Sequence, residues 1–172
     1  MIKLTGALLI LFAGTMIGMF YSARLAARPN QIRQLVHALQ RLETEIAYGY
    51  TPLPEAMIRT AAGLQPPVSD LLGLAGASAG EGNGQSFQQC WEEAIAVNWP
   101  QSAMKEPERL ILRRLGTTLG ISDREDQQQH LRLALLQLQA EEEAAREDQA
   151  RYGKMGRNLG ILGAALVVIL MV

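Results

Sequence analysis

Two stretches of this chain lack charge, and everything between them repeats apolar residues at helical spacing. From Leu4 to Ala23 no charged residue occurs. About 20 residues make roughly 30 Å of helix, which matches the hydrocarbon core of a bilayer. After Arg157 the chain runs Asn158 to Val172 without a charge. That run is about 15 residues, short of the usual length, and spans if Lys154 or Arg157 snorkels and the bilayer thins. The pattern therefore predicts a retained N-terminal transmembrane anchor over 1–23 and a C-terminal transmembrane helix over 158–172. A cleaved leader is the competing reading of the first stretch; against it stands the basic sequence that follows.

Between them, 24–157 reads as helices with no strand pattern. Ile32, Leu35, Val36, Leu39, Leu42 and Ile46 form one stripe of a helix over 31–48, with Pro29 just ahead. Thr51-Pro52 has the form of an N-cap and N1 proline opening a helix that stops at Gly63. A short helix is expected from Ser69 to about Leu74, then a flexible loop from Gly76 to Gln85. Ser86 to Asn98 carries Phe87, Trp91 and Ile95. Pro107 opens a helix with Ile111, Leu112, Leu115 and Leu119 buried and Gly120 as its C-cap. Ser122 and Glu125 form a capping box. From there a helix runs without proline to Val172, its stripe led by Leu131, Leu135 and Leu138 and continuing through Ala145 and Tyr152. The fold class expected is all-α: an antiparallel bundle of about six helices in 24–157, flanked by two transmembrane helices.

Composition sharpens this. Of 172 residues 48% are hydrophobic and 19% charged, below the roughly 25% charge of soluble domains. All 17 acidic residues, and every basic residue except Lys3, lie within 24–157. Arg24, Arg28 and Arg33 follow the first apolar run, and Arg151, Lys154 and Arg157 precede the second. Both boundaries vote for a cytoplasmic middle with the termini outside. A net charge of -1 and 5% aromatics exclude a domain-wide nucleic-acid footprint.

Catalytic chemistry is missing from the pattern. No phosphate loop, H-E-x-x-H or C-x-x-C occurs. The lone Cys90, beside Trp91, reads as a small core hydrophobe. His37 and His130 read as ordinary helix residues, so no metal and no cofactor is expected. Glu141, Glu142 and Glu143, with Glu147 and Asp148, read as a solvated face with Arg146 and Arg151 as neighbours. Gly80, Gly82 and Gly84 read as linker, since no strand precedes them.

The glycines of the apolar runs are more informative. Gly14 and Gly18 form G-x-x-x-G, and Gly153, Gly156, Gly160 and Gly163 step along one side of the last helix. In water each costs about 1 kcal/mol relative to alanine. In lipid such positions let helix backbones approach, so these six are candidates for packing against a partner span.

The string Leu115 to Gln127 (LGTTLGISDREDQ), the Glu-rich stretch, Arg151-Tyr152, Lys154-Met155 and the glycine-rich tail resemble the stage III sporulation protein AB family. Arg28-Pro29, Gln31 to Leu35, Leu42 to Ile46 and Gly49 to Leu53 add to the resemblance. It implies a subunit of the mother-cell membrane of endospore-forming bacteria, in a secretion-like assembly. The family's soluble part is similar to the F-type platform domain of type II secretion systems. The expected function is therefore a non-enzymatic platform coupling a cytoplasmic secretion-type ATPase to other membrane subunits, with homo-oligomerisation open; the alternative is a membrane-tethered helical regulator or sensor. A last helix ending in the membrane projects its start into the cytoplasm. Arg124 and Asp126, which the Ser122–Glu125 cap does not need, are the candidate partner-binding residues there.

Overall fold

The computed structural model describes the backbone of all residues except 1, 50, 83, 121, 122 and 172. Side chains are described for 26–49, 51–82, 84–120, 123 and 125–151, and at 6, 12–14, 16, 20 and 23. Among the described residues the chain is all-α. Its elements are α1 (Ile2–Tyr48), α2 (Leu53–Ala61), α3 (Val68–Gly80), α4 (Phe87–Asn98), a 3-10 turn (Trp99–Gln101), α5 (Glu106–Gly116) and α6 (Arg124–Met171). Two compact units result: Met1–Pro29 with Ala144–Val172, and Asn30–Glu143.

In the second unit the stripes read from the sequence form the core. Ile32, Leu35, Leu39 and Leu42 of α1 are fully buried with Met57, Leu72, Trp91, Ile95, Leu112, Leu119, Leu131 and Leu138. Burying each such side chain contributes about 1.5–3 kcal/mol. Cys90 is buried among them, as its setting beside Trp91 suggested. Leu115 is buried as expected, whereas Ile111 is only half-buried.

Several boundaries differ from the sequence reading, each for a local reason. Pro29 lies inside α1 instead of ahead of a new helix. Proline forfeits one backbone donor, and helix-forming sequence on both sides outweighs that loss. The expected loop from Gly76 is helical to Gly80. A Cβ on Gly76 would stand 2.7 Å from the Pro54 carbonyl oxygen and 2.9 Å from Ile58 Cγ1. The small residues that looked like a linker thus let α3 lie close on α2. The turn follows instead at Gly82 and Gly84, with φ of 65° and 73°, where glycine carries no Cβ penalty.

Capping is also redistributed. α2 begins at Leu53, and Thr51 does not cap it; its hydroxyl lies 3.0 Å from Glu45 Oε2, fastening the turn back to α1. Ser86 caps α4 in a capping box: Gln89 N–H donates to Ser86 Oγ at 3.3 Å and Ser86 N–H to Gln89 Oε1 at 3.0 Å. At α5 the Lys105 N–H donates to the buried Glu108 carboxylate at 2.7 Å. α5 ends at Gly116, with Thr117 as its C-cap, so Gly120 closes the following turn (φ 85°) and not the helix.

Candidate functional site

The start of α6 is where the sequence reading placed a partner surface. Asp123 caps the helix here: Asp126 N–H donates to Asp123 Oδ1 at 2.9 Å and Gln127 N–H to the Asp123 carbonyl at 3.0 Å. The carboxylate satisfies one of the free N–H groups of the first turn and complements the helix dipole. Asp126 therefore serves the cap through its backbone alone, and its side chain is exposed beside those of Asp123 and Glu125. Ser122 and the Arg124 side chain lie outside the described residues.

Ion pairs fix where this turn sits in its unit. Arg33 Nε is 2.9 Å from Glu142 Oε1, and Arg132 Nε is 2.6 Å from Glu43 Oε1. The contact ascends α1 as it descends α6, so the two helices run antiparallel. The same sense holds within the other unit, where Arg28 Nη1 is 3.6 Å from Asp148 Oδ2. In the 30–143 unit, then, Asn30 and Glu143 mark one end of the pair, and Tyr48 and Asp123 the other. The chain enters and leaves this unit at one end, and the α6 cap lies at the opposite end.

Glu142 corrects the reading of the acidic run. It is 8% exposed and held by Arg33, whereas Glu143 and Glu147 are solvated as expected. Burial of a carboxylate is tolerated only with a partner.

Of the six glycine candidates, Gly14 is half-buried in α1. Gly18 lies in α1 and Gly153, Gly156, Gly160 and Gly163 in α6; their surroundings lie outside the described residues, as does the Tyr152 side chain. Among the described residues no helix is long and apolar enough to cross a membrane. Both apolar runs fall largely on positions whose side chains are not described.

A second feature went unnoticed in the sequence. Gln34, His37, Ala38 and Arg41 of α1, with Thr60, Gly63, Leu64 and Gln65 at and beyond the end of α2, line a groove of about 470 Å³. The spacing of Gln34, His37 and Arg41 at i, i+3 and i+7 was the available signal. Among the described residues no cluster of three His, Cys, Asp or Glu side chains is placed to hold a metal ion.

Comparison with known proteins follows the same lines. The family model for stage III sporulation protein AB matches residues 3–172. The chain belongs to the stage III sporulation protein AB family. Stage III sporulation protein AB of Bacillus subtilis (strain 168) is 40% identical over 171 residues, 99% of each chain. A solved structure of stage III sporulation protein AB, 42% identical, covers 73% of this chain and 98% of its own with a TM-score of 0.68. A role in sporulation follows from this membership.

Proposed function

We propose that the chain is a non-catalytic, membrane-anchored platform subunit of the mother-cell secretion-like complex of sporulation. In this reading the segments 4–23 and 158–172 cross the membrane, and the helical unit lies in the cytoplasm and receives a secretion-type ATPase. The observation that carries the membrane part is a line on α1. Phe12, Met16 and Phe20 recur every fourth residue and are 69%, 61% and 76% exposed. Three large apolar side chains on one helix face suit hydrocarbon and not water. The Lys and Arg at both boundaries orient the pair of spans, and Gly14, Gly18, Gly153, Gly156, Gly160 and Gly163 are proposed to pack neighbouring spans.

The cytoplasmic partner is assigned to the exposed start of α6, with Arg124 and Asp126 as contacts. This end of the 30–143 unit lies opposite the one at which the chain enters and leaves it, which supports the assignment. The test is the paired charge reversal Arg124→Glu with Asp126→Lys, which keeps the Asp123 cap. Helicity and melting are expected to hold while co-purification with the ATPase falls. Undiminished co-purification refutes the contact. A cysteine replacing Gly82 is expected to resist a membrane-impermeant maleimide in intact cells; labelling there refutes the topology.

A further inference from the structure

Within the 30–143 unit, helix α6 is apolar on two sides, and the core uses one of them. Leu131, Ala134, Leu135 and Leu138 are buried, and Glu142 extends their stripe to Arg33. On the other side Leu133 is 48% and Leu136 66% exposed, and Gln129, Ala140 and Glu143 are exposed with them. At about 100° per residue these five fall within about 80° of one another. A surface helix needs one apolar stripe to join its own core. The second stripe is left over from folding, and the platform reading does not use it.

The spacing selects the kind of element that covers it. Positions 129, 133, 136, 140 and 143 step by four, three, four and three, the heptad period at which two helices share a seam. A strand presents side chains every second residue and does not follow that period. Ala140, beside the two leucines, leaves a hole for a large side chain of the covering helix. The ends of the stripe carry charge. Glu125, one turn before Gln129, and Glu143 are exposed, and neither makes an ion pair or hydrogen bond among the described residues. Arg132 borders the stripe but is held by Glu43 at 2.6 Å. The apolar centre is thus closed at each end by a carboxylate to which the unit supplies no cation.

We infer that this face of α6 receives an amphipathic helix of a partner protein, with large apolar residues at its centre and Lys or Arg at both ends. The charges decide against a second copy of this chain. A parallel copy sets Glu125 against Glu125 and Glu143 against Glu143, and like charges across a helical seam repel. An antiparallel copy centred on Leu136 sets Glu143 against Gln129, which carries no charge. A helix with basic ends pairs both carboxylates while its centre takes Leu133 and Leu136 out of water, as helix-in-groove recognition does. The inference stands whether or not an ATPase meets the start of α6, because neither Arg124 nor Asp126 enters it.

The test uses the full chain in neutral detergent, carrying Gln139→Cys, an exposed position at the edge of the stripe, labelled with bimane. Cys90 is buried and does not compete for the label. The probe is a synthetic three-heptad peptide with Leu at a and d, one central Trp and two Lys at each end. Its tryptophan quenches bimane only in contact, so peptide held elsewhere by detergent is silent. Saturable quenching that weakens with salt is expected, at least tenfold weaker for the same peptide with Glu in place of Lys. Leu136→Gln is expected to weaken binding at least tenfold, and Glu125→Gln with Glu143→Gln about fivefold. Val97→Gln alters an apolar residue of α4 that is 53% exposed; binding is expected to stay within twofold. Circular dichroism of each variant checks that these exposed substitutions leave the fold intact. Equal binding of the Lys-ended and Glu-ended peptides overturns the proposal, and so does equal loss in the Leu136 and Val97 variants, which marks general apolar attraction. Dimerisation of the chain that Leu136→Gln abolishes and the peptide does not disperse overturns it in favour of a second copy. No saturable quenching at low salt overturns it outright.

Discussion

Gly116→Ala is expected to destabilise the helical unit, although the same change stabilises most helices. Gly116 is the last residue of α5, packed against the fully buried Trp91. A Cβ there would stand 2.1 Å from Trp91 Cδ1 and 2.8 Å from Nε1. Carbon contacts settle near 3.5–4.0 Å, so the indole must retreat by about 1.5 Å. Its Nε1–H donates to the Leu112 carbonyl at 2.7 Å, and that displacement breaks the bond. Overpacking costs about 1–3 kcal/mol, and a buried donor left unmade costs about 1–3 kcal/mol more. Helix propensity returns at most about 1 kcal/mol. The net loss is about 1–5 kcal/mol, or roughly 4–20 °C in Tm at about 4 °C per kcal/mol. Trp91 and Trp99 are the chain's two tryptophans, so fluorescence reads this unit without interference from the apolar runs. The comparison is Gly73→Ala, whose Cβ would meet only Ala61 Cβ at 3.8 Å. It is expected to raise Tm by a few degrees through propensity alone, about 0.5–1 kcal/mol. Equal shifts of the same sign would refute the assignment of Gly116 to close packing on the indole.

Asp123→Ala is expected to cost about 1 kcal/mol by removing the α6 cap, and Asp123→Asn to restore most of it; urea melts of the two variants decide this, and equal losses would show that only the charge matters. Arg33→Ala is expected to cost about 1 kcal/mol, because it leaves the buried Glu142 without its guanidinium while Arg33 itself is half-exposed. Arg59→Ala, which breaks an exposed pair at i, i+4, is expected to stay within about 0.5 kcal/mol in the same melts. Identical losses for the two would mean that burial of Glu142 carries no energetic weight.

The helical stripes were legible because their period is set by helix geometry alone, and Leu35, Leu39, Leu112 and Leu138 are buried where that period puts them. Features that depend on a distant neighbour were not. Gly76 has loop composition, and only the nearness of Pro54 and Ile58 explains a glycine there. The α6 cap shows a different limit. Ser122 with Glu125 three residues on, and Asp123 with Asp126 three residues on, both satisfy the cap spacing. A one-residue shift leaves local propensity unchanged, so sequence alone does not choose between them. The bond from Asp126 N–H to Asp123 Oδ1 shows that the Asp123 cap is formed. That shift also changes the meaning of the candidate site. Asp126 was set aside from the cap, but it supplies the capped N–H, so a charge reversal there must spare the backbone for the docking test to be readable.

Glu142 was legible in principle and was missed for an instructive reason. Leu131, Leu135, Leu138 and Ala145 are buried on one face of α6, and Glu142 occupies the same face between the last two. Its neighbours Glu141 and Glu143 led it to be grouped with a solvated acidic run, whereas its register along the stripe pointed inward. Position on the stripe outranks local charge because adjacent residues of a helix point in different directions, about 100° apart. A carboxylate at a core register demands a cation from another element, and the demand can be turned into a search. The partner must lie on a helix antiparallel to α6, level with residue 142. Among the basic residues that open the first bundle helix, Arg33 meets that condition, and its Nε lies 2.9 Å from the Glu142 carboxylate. Read this way, one polar residue on an apolar stripe reports the pairing of two helices 109 residues apart in the chain, which the apolar residues themselves, being interchangeable, do not.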